Sequence, residues 1–193
     1  MEILHLNAGM LQTNCYVVWA EGSKTCAVID PGDEAPRILK NITDRGLTVE
    51  AILLTHGHFD HVGGVRQLHK DTGCKVYMNI KELALPERLT SGPLFYTDAY
   101  GPSVTAGGLT FRVLETPGHS EGSVCLLCGD VIFSGDTLFA GTCGRTDLPT
   151  GSWSTITKSL NTLAALPGDY TVYPGHGPAT TMEQERRENP CMR

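Results

Sequence analysis

The stretch Thr55-His56-Gly57-His58-Phe59-Asp60-His61 sets three imidazoles and one carboxylate within six positions, directly after the apolar run Ala51-Ile52-Leu53-Leu54. Imidazole and carboxylate are the usual ligands of zinc and of non-haem iron. Four such groups stranded at the end of a buried strand need partners, because a polar group out of water is costly. One partner satisfies all four at once. The stretch therefore predicts a metal site.

Three other turns carry residues of the same kind. Thr116-Pro117-Gly118-His119-Ser120 follows an apolar run that ends at Glu115, and Tyr173-Pro174-Gly175-His176-Gly177 repeats the arrangement near the end of the chain. Between them, Phe133-Ser134-Gly135-Asp136-Thr137 puts a carboxylate after another apolar run. Glycine lets the backbone turn sharply and approach closely, which convergence on one point requires. His119, Asp136 and His176 are therefore expected to join His56, His58, Asp60 and His61. His5 and His69 complete the 7 histidines and stand near no such turn; both read as ordinary structural residues.

The elements that position these residues follow from periodicity. Strands are expected at 3–6, 14–19 and 25–30, joined by turns at Glu21-Gly22-Ser23 and Pro31-Gly32 into an antiparallel meander. Ala35, Ile38, Leu39 and Ile42 share a helical face that Gly46 stops, and 49–54 is a strand buried on both sides. A helix from Val62 to about Thr72 and a strand at 74–78 follow. The run 79–102, broken by Pro86, Gly92-Pro93 and Gly101-Pro102, reads as a long loop, lid-like or packed on the sheet through its aromatics. Strands at 109–115, 123–127 and 131–134 precede a helix at 153–166 capped by Ser152. A last strand at 170–173 and a short helix with capping-box spacing at Thr181-Met182-Glu183-Gln184 end the chain. Strands then helix, twice, predict two sheets face to face with helices outside, in one domain over 1–193.

Composition narrows the function. A net charge of -6 with no basic run argues against nucleic acid and membrane surfaces, and the partner expected is a small-molecule substrate. The segment Met1-Glu2-Ile3-Leu4-His5 lacks signal-peptide character, and 7 cysteines without framework spacing fit a reducing compartment, so a cytoplasmic protein is expected. Cys125 and Cys128 have C-x-x-C spacing within a strand, where they point to opposite faces as core residues.

The set His56-x-His58-x-Asp60-His61, His119, Asp136 and His176, with Leu11 to Tyr16 and Val28 to Gly32 before it, resembles the metallo-β-lactamase superfamily over the whole chain. The resemblance implies an α+β fold, a four-layer αββα sandwich with the site at the sheet edge. The run Ser134 to Asp147 is most similar to the small single-domain glyoxalase II-like group, that is, to hydroxyacylglutathione hydrolases. Carried over, His56, His58 and His119 hold one metal, Asp60, His61 and His176 a second, and Asp136 bridges them. Asp30 then steadies a ligand histidine from behind. Two divalent ions are implied, zinc first, with iron and manganese as alternatives. Only 17 residues follow His176, so a counterpart of the helical extension that holds glutathione in full glyoxalase II is not expected.

The activity implied is hydrolysis of a thioester such as S-lactoylglutathione by a metal-bridging hydroxide, with Asp60 accepting a proton and Arg145 a candidate anchor for a substrate carboxylate. An ordinary pair with Asp147 is the plainer reading of Arg145. The rival is a mononuclear iron persulfide dioxygenase, which shares Gly144-Arg145-Thr146-Asp147 and uses the equivalents of His56, His119 and Asp136. Leu148, where those enzymes tend to carry phenylalanine, favours the hydrolase. Lactone or other ester hydrolysis ranks third. A purely structural metal is disfavoured, since such sites are usually closed and cysteine-rich.

Overall fold

Two six-stranded sheets lie face to face in the computed structural model, which describes all of residues 1–193. The first sheet orders β1 (Glu2–Ala8), β2 (Thr13–Trp19), β3 (Thr25–Ile29), β4 (Thr48–Leu53), β5 (Lys75–Met78) and β6 (Asp98–Ala99) in sequence. Its first two pairings are antiparallel and the rest parallel. The second sheet runs β14-β13-β10-β9-β8-β7, with β7 (Ser103–Ala106), β8 (Leu109–Glu115), β9 (Val124–Cys128), β10 (Val131–Gly135), β13 (Thr171–Pro174) and β14 (Thr180–Thr181). A two-stranded ribbon, β11 (Leu138–Phe139) with β12 (Thr142–Cys143), stands apart.

Period-2 alternation builds three apolar layers from these strands. On β2, Cys15 and Val17 face outward with Ile38, Ile42 and Leu68, from helices α1 (Ala35–Thr43) and α3 (Val65–Thr72). Tyr16 and Val18 face inward, where they meet Phe111, Leu126 and Phe133 of the opposite sheet. On β9, Cys125 and Leu127 turn to Ile156, Leu160 and Leu163 of helix α4 (Trp153–Ala164) and to Met182 of helix α5 (Met182–Glu188). Cys125 and Cys128 thus sit in different layers, as their spacing predicts. The arrangement is the expected αββα sandwich. Truncating a middle-layer residue such as Phe133 to Ala costs about 3–5 kcal/mol by lost burial and an unfilled cavity.

Strand direction gathers the candidate residues at one edge. Strands β8 and β10 both run antiparallel to β9, and β13 runs parallel to β10. The carboxyl ends of β8, β10 and β13 therefore share an edge, which Val124 N–H, donating to the Thr55 carbonyl at 2.9 Å, ties to the end of β4.

One expectation changes, and one open alternative is decided. The helix does not continue smoothly through Val62: a short turn, α2 (Phe59–Val62), gives way to α3 after Gly63-Gly64. There Gly64 N–H donates to the Pro31 carbonyl at 2.8 Å, drawing the chain against the Pro31-Gly32 turn. The run 79–102 takes the second of its two expected forms, packed on the sheet through its aromatics. It forms two 3-10 turns (Ile80–Ala84 and Glu87–Leu89), and Leu94, Phe95 and Tyr96 pack on the outer layer beside α3 while Tyr100 packs on the middle one. No helix is long and apolar enough to cross a membrane.

Candidate metal centre

All seven predicted residues meet at the shared edge. His56, His58, Asp60 and His61 follow β4, His119 follows β8, Asp136 follows β10 and His176 follows β13. Among three groups of possible ligand atoms, each within 4.8 Å of one another, Asp30 joins His56 and His61 in one, and the other two are His56 with His58 and His119 and Asp60 with His61 and His176. Asp136 lies between them. Its Oδ1 is 3.4 Å from His61 Nε2, and its Oδ2 is 3.6 Å from His119 Nε2 and 3.7 Å from His176 Nε2.

The backbone admits this closeness at Gly175, where a Cβ would collide with the Asp136 carboxylate and His61. Asn14 staples the same turn to the first sheet. Its side-chain amide donates to the carbonyls of Pro174 and Gly177 at 2.9 Å each, and the Tyr16 hydroxyl donates to Pro174 at 2.7 Å.

Outer partners set the tautomers. The Thr55 hydroxyl donates to Asp30 Oδ2 at 2.6 Å, so it accepts from His56 Nδ1 at 3.1 Å and leaves the His56 Nε2 lone pair facing inward. His61 Nδ1 donates to Asp30 Oδ2 at 2.9 Å, and His119 Nδ1 to the Arg145 carbonyl at 2.9 Å, with the same result. Asp30 is held in turn by Thr55 N–H at 2.8 Å. Thr13 and Thr55 were not singled out from the sequence. Thr13 Oγ1 donates to Asp60 Oδ2 at 3.0 Å, and its place next to Asn14 in the Leu11 to Tyr16 segment was the available signal.

Protonation divides the cluster. Burial holds His56, His58 and His119 below the usual imidazole range, aided at His56 and His58 by neighbouring histidines, with His58 down at about 4. Neutral imidazole is the ligand form. Burial also acts to lower His61, but Asp136 and Asp30 outweigh it and raise that pKa; a hydrogen bond to Asp60 raises His176. For Asp60, burial acts upward but is outweighed by the His176 hydrogen bond and the His61 charge, which hold it below the carboxylate range.

The buried polar atoms test whether a cation fits. Four buried side-chain atoms find no hydrogen-bond partner anywhere in the protein: His56 Nε2, His58 Nε2, His61 Nε2 and Asp136 Oδ1. All four belong to this cluster. Lone pairs converging without donors suit a divalent cation, since an unmet buried polar atom costs about 1–3 kcal/mol.

Above the cluster opens a cavity of about 380 Å³, walled by Leu11, Phe59, Leu89, Phe139 and Leu148, a size that suits a small ligand. Arg145 also lines it, but its guanidinium already grips Asp147 through two bonds of 2.8 and 2.7 Å. His5 and His69 lie outside the cluster, bonded to Asn14 at 2.7 Å and to the Cys74 carbonyl at 2.8 Å.

A sandwich of this order with ligand-type residues at one edge defines a class, and the comparisons supply its name. The family model of the metallo-beta-lactamase superfamily matches residues 8–176, and the chain belongs to that superfamily. It is 37% identical to hydroxyacylglutathione hydrolase GloC of Haemophilus influenzae, over 100% of this chain and 97% of that protein. TTHA1623, solved in a di-iron-bound form, is 39% identical with a TM-score of 0.85, covering 97% of this chain and 98% of that one. ETHE1 from Myxococcus xanthus is 31% identical with a TM-score of 0.83, covering 98% and 84%. The protein is a metallo-hydrolase-type member of this superfamily.

Proposed function

We propose that this protein is a dinuclear metallohydrolase that cleaves thioesters such as S-lactoylglutathione. His56, His58 and His119 hold one divalent ion, Asp60, His61 and His176 the other, and Asp136 serves both. The observation that carries this reading is the placement of Asp136, with one oxygen toward His61 and the other toward His119 and His176. A carboxylate so placed suits a paired site better than a single ion. Identity to GloC across both chains supports the thioester class, and the di-iron form of TTHA1623 supports a pair. Zinc is the first candidate, with iron and manganese as alternatives.

When bound, paired divalent ions lower the pKa of water to supply a nucleophile at neutral pH and polarise the scissile carbonyl. The chain's residues do the rest. Asp60, ionised and anchored by Thr13, would accept a hydrogen bond from the attacking water and orient it, taking its proton only transiently because its neighbours hold its proton affinity low. Asp30 and the Arg145 carbonyl keep His61 and His119 aimed inward. Leu11, Phe59, Leu89, Phe139 and Leu148 give the cavity an apolar wall against which the acyl group of a substrate can lie.

The test is turnover of S-lactoylglutathione by metal-loaded protein, with and without a chelator. Hydrolysis that chelation abolishes and metal restores, with the fold unchanged by circular dichroism, is the expected result. Oxygen uptake on glutathione persulfide with no thioester cleavage would replace this reading with the single-iron one, in which His56, His119 and Asp136 are the ligands.

A further inference from the structure

Glu82 is fully buried on the 3-10 turn Ile80–Ala84, while its apolar neighbours Ile80 and Leu83 are each 54% exposed. A carboxylate inside with leucine and isoleucine outside reverses the usual order, and burial raises the pKa of this carboxyl. Three hydrogen bonds account for its position. Oε2 accepts from Gly57 N–H at 2.5 Å, and Oε1 accepts from Gly122 N–H at 2.7 Å and from the Ser120 hydroxyl at 2.6 Å.

The donors come from two separate loops of the metal centre. Gly57 stands between His56 and His58, and Ser120 directly follows His119. One carboxylate therefore joins the two segments that supply the all-histidine group. Both glycines make room for it: a Cβ at Gly57 would lie 3.0 Å from Oε2, and one at Gly122 only 2.7 Å from Oε1. The turn is itself anchored, since Lys81 N–H bonds Asn79 Oδ1 at 3.1 Å and Lys81 Nζ pairs with Glu115 at 2.6 Å, at the end of the strand leading to His119.

We infer that Glu82 is a positioning residue for the His56, His58 and His119 group: it fixes the spacing of the two loops and thereby sets how tightly that group holds its cation. Asp30 is its counterpart at His61, reached through the side chain where Glu82 acts through the backbone. The inference rests on the metal reading above. A carboxylate with backbone N–H donors on both oxygens is poorly replaced by an amide, whose NH2 must face one of those donors. Glu82→Gln keeps the shape and breaks the bridge on one side.

The experiment dialyses zinc-loaded protein against graded EDTA and counts zinc retained per chain by elemental analysis. Glu82→Gln should release one zinc at about 10–100-fold lower chelator, the usual effect of removing an outer partner, and keep the other as the parent does. The shift should vanish in a His58→Ala background and persist in a His176→Ala background. Equal loss of both zincs, or a shift that survives His58→Ala, would reduce Glu82 to a general folding residue and overturn the inference. Should Glu82→Gln fail to fold, Ser120→Ala removes one donor alone and should give a smaller shift at the same group; no shift there overturns the inference too. A parent that binds no zinc, iron or manganese would remove the metal reading, whereas a metal-binding parent unmoved by Glu82→Gln would remove this inference only.

Discussion

The two halves of the metal centre are built on opposite electrostatic plans. The His56, His58 and His119 half is nearly sealed, all imidazole, and kept neutral by burial. The Asp60, His61 and His176 half contains carboxylate, is more open (the His176 side chain is 29% exposed), and raises the pKa of both its histidines. Glu82 joins the loops of the first half mainly through their backbone N–H groups, with the Thr55 side chain behind His56, whereas the side chains of Asp30 and Thr13 bond His61 and Asp60 of the second directly. The first half is thus preorganised to bind a cation without losing a proton from its imidazoles. On the dinuclear reading proposed above, the second would release protons as it takes up its cation.

Removing the group common to both halves should do the most damage. Asp136→Ala is expected to cost both bound ions and to drop thioester hydrolysis by more than the ~10–100-fold typical of an outer partner; metal content and kcat/KM read it. Next in size, His58→Ala should cripple thioester hydrolysis yet largely spare any oxygen chemistry at a single iron, since the single-iron ligand set omits His58. Equal loss in both assays with metal retained would erase that division. Asp30→Asn should then weaken cation retention by about 10–100-fold, more in the His61 half, which it touches directly, than in the His56 half, which it reaches only through Thr55, as chelator titration shows.

Proton binding contrasts the halves without any mutation. In metal-stripped protein, histidine NMR should find His58 neutral until about pH 4 and His61 and His176 protonated above the usual 6.5. The stability contributions have opposite signs. That of His58 is present above pH 6.5 and lost as pH falls toward about 4, because the unfolded chain binds that proton more readily. That of His61 is full below 6.5 and lost as pH rises through its raised value. Titration of all three near 6.5 would dissolve the contrast. The smallest effect belongs to Arg145→Ala. It leaves the carbonyl that holds His119 in place, so metal content and kcat should match the parent, and any change should appear in KM alone.

Much of this centre was legible because its residues are announced by their turns. His119, Asp136 and His176 each follow an apolar strand on a glycine turn, and a strand end at a sheet edge is where such a residue can converge with others. The layers were equally legible, since alternation on β2 and β9 assigns each face. Glu82 was not. It lies in a stretch whose prolines and glycines read as loop, and Ile80 and Leu83 beside it suggest the reverse of the burial found. The break at Gly63-Gly64 was hidden for a related reason: the contact that sets it comes from the Pro31 carbonyl, some thirty residues away. Local pattern reports which residues carry chemistry, and long-range backbone contacts decide what holds them.

The most direct test of the paired site is elemental analysis of protein purified without added metal, run beside S-lactoylglutathione hydrolysis on the same sample. Close to two metals per chain, with thioester turnover, is the predicted result. Close to one iron per chain, oxygen uptake on glutathione persulfide and no thioester cleavage would contradict it.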